Sequence, residues 1–132
     1  MSNAMYAAGR QNFADGNISF SSHTIKLVAC DHADDNPDIA VDDALDDIAA
    51  AARVATSPAL ASKTNVGGTL DAANVTITAV TGDQFESFTM FKDSGVESTS
   101  YLFAKWDTAT GLPFTPDGTD LLIIWGTNIL TI

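Results

Sequence analysis

Cys30 and His32 stand two residues apart, and side chains two apart on an extended strand share a face. A thiol beside an imidazole supplies the parts of a nucleophile and its base. The spacing names no third group to orient the imidazole. The plainer expectation is a small buried thiol at a strand end, next to a loop histidine. Zinc needs about four ligands of cysteine or histidine type, and the chain holds one Cys and two His. The second, His23, has no chemical partner near it in sequence and is expected in the turn before a strand.

Carboxylates are the other reactive groups in quantity. "DHADDNPDIAVDDALDD", residues 31–47, holds eight of the seventeen acids. A helix-loop-helix calcium loop takes oxygen ligands at positions 1, 3, 5 and 12, with glycine at 6. Counted from Asp31, Asp35 fits position 5, but position 3 is Ala33 and position 6 is Asn36. A looser calcium site from Asp34, Asp35 and Asp38 is the sharper alternative. The expected state is an ordered, solvated loop without a strongly bound ion, since Ile39, Val41, Leu45 and Ile48 interleave the acids and can reach a core. Nothing among the acids selects a pair for glycosidic chemistry. Nucleophile-elbow, phosphate-loop and dinucleotide glycine motifs are absent from the sequence, so no catalytic residue, cofactor or metal ligand is expected. Trp106 and Trp125 would suit a sugar-stacking platform, though core anchoring is the commoner use of such residues.

The elements that must carry these groups read mostly as strands. "TIKLVAC" (24–30) alternates Ile25, Leu27 and Ala29 against Thr24 and Lys26, the period of a half-buried strand. "VTITAV" (75–80) places Val75, Ile77 and Ala79 inward. "FESFTMFKD" (85–93) breaks its alternation at Met90-Phe91, which predicts burial on both faces or a bulge. "YLFAKWD" (101–107) sets Leu102, Ala104 and Trp106 against Tyr101, Phe103 and Lys105. "DLLIIWG" (120–126) and "NILTI" (128–132) flank Gly126-Thr127-Asn128 and read as a closing hairpin. Two weaker strands are expected within 53–70. Helical turns are expected over 5–16, ending at Gly16, and over 41–52, with Asp42 as N-cap. Short strands with few helical turns predict an all-β fold, a single antiparallel sandwich or flattened barrel.

Composition sets the outer limits. A chain of 132 residues with 45% hydrophobic content fits one domain. That length buries roughly two-thirds of the unfolded surface without disulfide or metal. Six Lys and Arg against seventeen Asp and Glu give a net charge of −11, which disfavours nucleic acid and anionic membranes as partners. Met1-Ser2-Asn3-Ala4 reads as an expression-vector remnant, leaving 5–132 as the β domain. No basic stretch followed by an apolar run stands after Met5, so no signal peptide is expected and the sequons at Asn17 and Asn74 are read as chance. The lone Cys30 cannot form an internal disulfide.

One resemblance covers nearly the whole chain. Gly9, Arg10, Gln11, Phe13, Gly16 and Ile18, followed by Thr24-Ile25-Lys26, match a G-R-Q-x-F-x-x-G-x-I opening and a T-I-K strand. "DDIAAAARVATSPAL" (46–60), "TAVTGDQ" (78–84) and "DTATGLPFTPDGTD" (107–120) continue the match. This pattern resembles a family of small tailed-bacteriophage virion structural proteins. The chain departs from it at Cys30-Asp31-His32 and at the C-terminus. The resemblance implies a non-enzymatic capsid-decoration or tail and fibre accessory protein of phage or prophage. Its place would be the virion, after the host cytoplasm, and its partners other virion proteins and further copies of itself. The family brings no catalytic motif. Leu112, Pro113 and Phe114 of the 107–120 loop are the expected contact residues, with Tyr6 and Phe13 of the N-terminal segment. Two rival functions make different demands. A carbohydrate- or receptor-binding module needs exposed aromatics in a concave face. A small enzyme needs a pocket with two converging titratable groups.

Overall fold

A computed structural model describes residues 4–132. The remnant reading of residues 1–3 lies outside the described residues, and Ala4 belongs to the fold. The elements are β1 (Ala4–Met5), α1 (Ala7–Ala14), β2 (Ile25–Cys30), β3 (Arg53–Thr56), β4 (Thr64–Val66), β5 (Thr69–Asp71), β6 (Val75–Ile77), β7 (Ser87–Lys92), β8 (Leu102–Trp106), β9 (Leu121–Ile123) and β10 (Leu130–Thr131). All strand pairs among the described residues are antiparallel. The main sheet has the order β1-β8-β7-β2-β3, and two small sheets, β10-β5-β4 and β6-β9, complete the set. The expected all-β class is observed. The main sheet meets two small sheets, not one continuous second sheet: Leu27 and Met90 share a core cluster with Leu70, Val75 and Ile129.

The opposite face of the main sheet is covered too, which the alternation of 24–30 did not show. Val28 and Cys30 of β2 are buried with Ile48 and Ala52, and Ile39 and Leu45 pack at the margin. The acidic segment therefore lies as a lid over that face. Val41, expected to reach inward as well, is 74% exposed. Covering both faces explains the blurred pattern of 85–93, where Met90 joins one cluster and Phe91 the other. A register shift between Met90 and Phe91 supplies the bulge. The same covering buries both alternating sets of 101–107: Phe103 and Lys105 as well as Leu102 and Ala104.

Helix α1 crosses β8 at close range. A β-carbon on Gly9 would lie 2.5 Å from the Phe103 α-carbon, a distance no larger side chain tolerates. Phe13 stacks its edge on Phe103 at 5.1 Å, and Gly16 ends the helical segment with φ +80. Segment 41–52 forms two single 3₁₀ turns, Leu45–Asp47 and Ala50–Ala52, in place of a capped helix. Ala44 bridges to Tyr101 and the Leu45 N–H donates to Ser100 O, which holds the chain extended where a helix would begin. Asp42 accepts the Asp38 N–H and caps nothing in the turn that follows.

Residues 120–132 do not form a hairpin. Strand β9 pairs with β6, and β10 pairs with β5. Ile129 is buried in the main cluster and its N–H donates to Leu70 O at 2.8 Å. That contact draws the chain across to β5, so residues 126–128 bridge two sheets. Ala79, expected inward from the alternation of 75–80, is exposed. Strand β6 ends at Ile77, and Ala79 takes φ +49, which turns Val80 inward in its stead.

Candidate functional site

The acidic segment is engaged with itself. Asp31 accepts the Ala33 N–H, Asp38 the Ala40 N–H, and Asp42 the Asp38 N–H. Asp35 takes the Ala49 N–H at 2.8 Å, and one Asp47 oxygen takes those of Asp43 and Ala44. A lid whose backbone is paired to the sheet by little more than the Ala44–Tyr101 bridge leaves other backbone donors orphaned, and aspartate reaches them over short distances. The trio Asp34, Asp35 and Asp38 is not brought together. The carboxylate groups that converge among the described residues are Asp31, Asp34 and Asp83, and Asp43, Asp46 and Asp47. The backbone bonds hold Asp47 below its ordinary pKa, while the hydrogen bond with Asp47 raises Asp43.

Cys30 and His32 do not form a dyad. Strand β2 ends at Cys30, so the strand period no longer applies at His32. Cys30 is buried, and burial pushes its thiol up to about 12, which keeps it protonated near neutral pH. The His32 Nε2 meets Ser87 Oγ at 2.8 Å, and its backbone N–H donates to Glu86. Ser87 is fully buried in β7, so a substrate has no approach to that hydroxyl. His23 lies in the turn before β2, where its Nδ1 accepts the Ser19 N–H. Lys105, missed by the sequence pattern, is 3% exposed and donates to Asn36 Oδ1 at 2.6 Å and Pro37 O at 2.8 Å. Burial lowers its pKa. Its role is to pin the acidic lid to β8. Nothing beside it in the sequence marked this role, because its acceptors lie 69 and 68 residues away in the chain.

The expected contact residues divide. Tyr6 is fully buried and hydrogen-bonds Thr89 at 2.7 Å, so it has no surface to offer a partner. Phe13 is half-buried against Phe103. Pro113 is exposed, after a cis peptide bond from Leu112. Leu112 and Phe114 are half-buried rather than free, packed on the cluster of Phe85, Ile77 and Val80. Phe114 exchanges backbone hydrogen bonds with Phe85, and their rings lie 5.3 Å apart.

Beside this loop lies an apolar groove of about 260 Å³. Residues 109–112 form one wall and residues 121–125 the other, over a floor that includes Leu27 and Phe88. Trp106 and Trp125 both line it, with ring centroids 6.1 Å apart and planes at 51°. The Trp125 indole N–H is occupied by Ala73 O. No lining residue is ionisable; Thr110 and Asn128 are the polar side chains. Leu122 and Ile124 stand 54% and 68% exposed at its edge. The arrangement can hold apolar surface and aromatic faces, and it presents no acid, base or nucleophile. No protein-family model matches the chain, and no curated protein matches it.

Proposed function

We propose that this chain is a non-enzymatic bacteriophage virion structural protein, a capsid-decoration or tail and fibre accessory component. It attaches to other virion proteins through the apolar groove beside the 107–120 loop. The observation that carries this reading is the groove itself. It is a concave apolar surface with exposed Leu122 and Ile124 on its rim and no ionisable lining residue. Such a surface favours adhesion to another protein over chemistry. The resemblance of residues 9–26, 46–60, 78–84 and 107–120 to phage virion proteins gives the adhesion its setting. The −11 charge keeps copies apart before assembly. The expected location is the virion, after the host cytoplasm. Mass spectrometry of purified particles tests the reading. A fixed copy number per particle is expected, and absence from particles together with turnover of a substrate overturns it.

Convergence of Trp106 and Trp125 in one groove favours a second reading, a carbohydrate- or receptor-binding module. It expects quenching of indole fluorescence by oligosaccharides, lost in Trp125→Ala. A groove with only Thr110 and Asn128 as polar side chains suits sugar hydroxyls less well than apolar side chains.

A further inference from the structure

An exposed sheet face is lined by alternate residues, because side chains alternate across the sheet. The groove is lined by the consecutive residues 121–125, the signature of a strand edge turned toward the cavity. Strand β9 has one partner, β6. The backbone shows which residues face that partner. The Trp125 N–H donates to Asn74 Oδ1 at 3.1 Å, and the Ala79 N–H donates to Asp120 Oδ1 at 2.9 Å. These bonds flank the paired residues and put the N–H groups of Trp125 and Ala79 on the side of the partner strand, in phase with the pairs Val75–Ile123 and Ile77–Leu121. In an antiparallel pair the alternate residues turn theirs away, so Leu122, at the middle of β9, presents its N–H and C=O on the free edge, and Ile124 follows one residue past the strand. Their apolar side chains are exposed there as well. An open edge with apolar side chains is a template for one more strand.

We propose that the free edge of β9 and the groove beside it form a slot for a single extended strand of a different, basic protein. The proposal deepens the assembly reading above and rests on it. Charge selects the occupant. Residues 106–132 contain Asp107, Asp117 and Asp120 and no Lys or Arg, so a strand with basic flanks gains what a neutral or acidic one lacks. A second copy is the poorer occupant, since each copy carries −11. A small molecule is also poorer, since about 260 Å³ falls below the roughly 300–1,000 Å³ of small-ligand sites. Main-chain bonds at Leu122 hold the incoming strand, and its apolar side chains seat against Leu112 and Trp106.

The test uses a synthetic peptide of about nine residues, a common strand length, alternating valine and threonine with lysines at both ends. Binding is read from indole fluorescence and calorimetry on the full chain. N-methylation of alternate amides along one peptide edge should weaken binding by about tenfold or more, the effect of losing one or two hydrogen bonds. Leu122→Pro removes an edge donor that does not face β6, so the melting temperature should hold while binding is lost. Leu122→Thr keeps the donor and should keep binding. Equal binding of the N-methylated peptide, or of a glutamate-flanked peptide, overturns the proposal, and the peptide arms decide even if Leu122→Pro fails to fold. A chain dimer abolished by Leu122→Pro would also overturn it, naming a second copy as occupant. Peptide binding by a chain that is absent from particles would defeat the virion reading alone. Incorporation of Leu122→Pro at the natural copy number would defeat the slot alone.

Discussion

The acidic lid and the apolar groove are opposites in more than charge. The lid holds the residues that look reactive, and five of them are spent on structure: Asp31, Asp38, Asp42 and Asp47 each accept a backbone N–H from within the segment, and Asp35 accepts that of Ala49 just beyond it. The groove holds residues that look like core, and two are left unspent: Leu122, on the open edge of β9, and Ile124, just past its end, are mostly exposed. Polar density in a sequence therefore marks where the backbone lacks partners. Apolar surface left uncovered is where a partner would gain most by binding.

The largest expected effect breaks the lid. Ile48 is fully buried between the lid and the main sheet. Ile48→Ala should cost roughly 2–5 kcal/mol in urea unfolding, the range for large-to-small core changes. Binding at the groove should persist in the fraction that stays folded. A cost within the error of the unfolding curve would mean that the lid rides loosely on the sheet.

Phe114→Ala probes the other region. Its ring is half-buried on Phe85, so the stability cost should be smaller, roughly 1–3 kcal/mol, than for a fully buried ring. Incorporation into particles should fall beyond what that loss of stability explains. Normal incorporation at reduced stability would leave Phe114 as a core residue only.

Within the lid, two aspartates should separate. Asp35→Ala removes the acceptor of the Ala49 N–H and should cost about 0.5–1.5 kcal/mol. Asp46 accepts no hydrogen bond among the described residues and sits close to Asp43 and Asp47. Asp46→Ala should be neutral or slightly stabilising in the same thermal melts, through relief of like-charge repulsion. Equal costs would show that the lid's carboxylates act through charge and not through their backbone bonds.

The smallest effect is a pH dependence at His32. Burial, assisted by the nearby Lys105, lowers its pKa from the ordinary 6.5. The unfolded chain then binds the proton more readily than the folded one, so stability rises with pH across that window. The contribution is complete above the ordinary value and is lost as pH falls through the folded one. His32→Gln should flatten this part of the stability profile between about pH 7.5 and about pH 5, the range of histidine titration. Unchanged slopes would remove His32 as the cause.

Local chemistry determined much of this protein. Alternation in 24–30 located β2, alternation in 75–80 located β6 over Val75–Ile77 but not beyond it, and the break at Met90-Phe91 announced the bulge in β7. Gly16 ended the first helix, and Gly67-Gly68, both with positive φ, turned β4 into β5. These features depend on neighbours in the chain, whose types are written side by side. The rest was decided by contacts between distant residues. His32 found Ser87 in place of Cys30, Lys105 was buried by Asn36 and Pro37, and Tyr6 was enclosed against Thr89. The 120–132 segment split between two sheets because burying Ile129 drew it to Leu70. Strand alternation states that one face is apolar. Which segment covers that face, and which edge stays open, depends on the burial available across the whole chain, and that is settled only when all the segments compete for the same core.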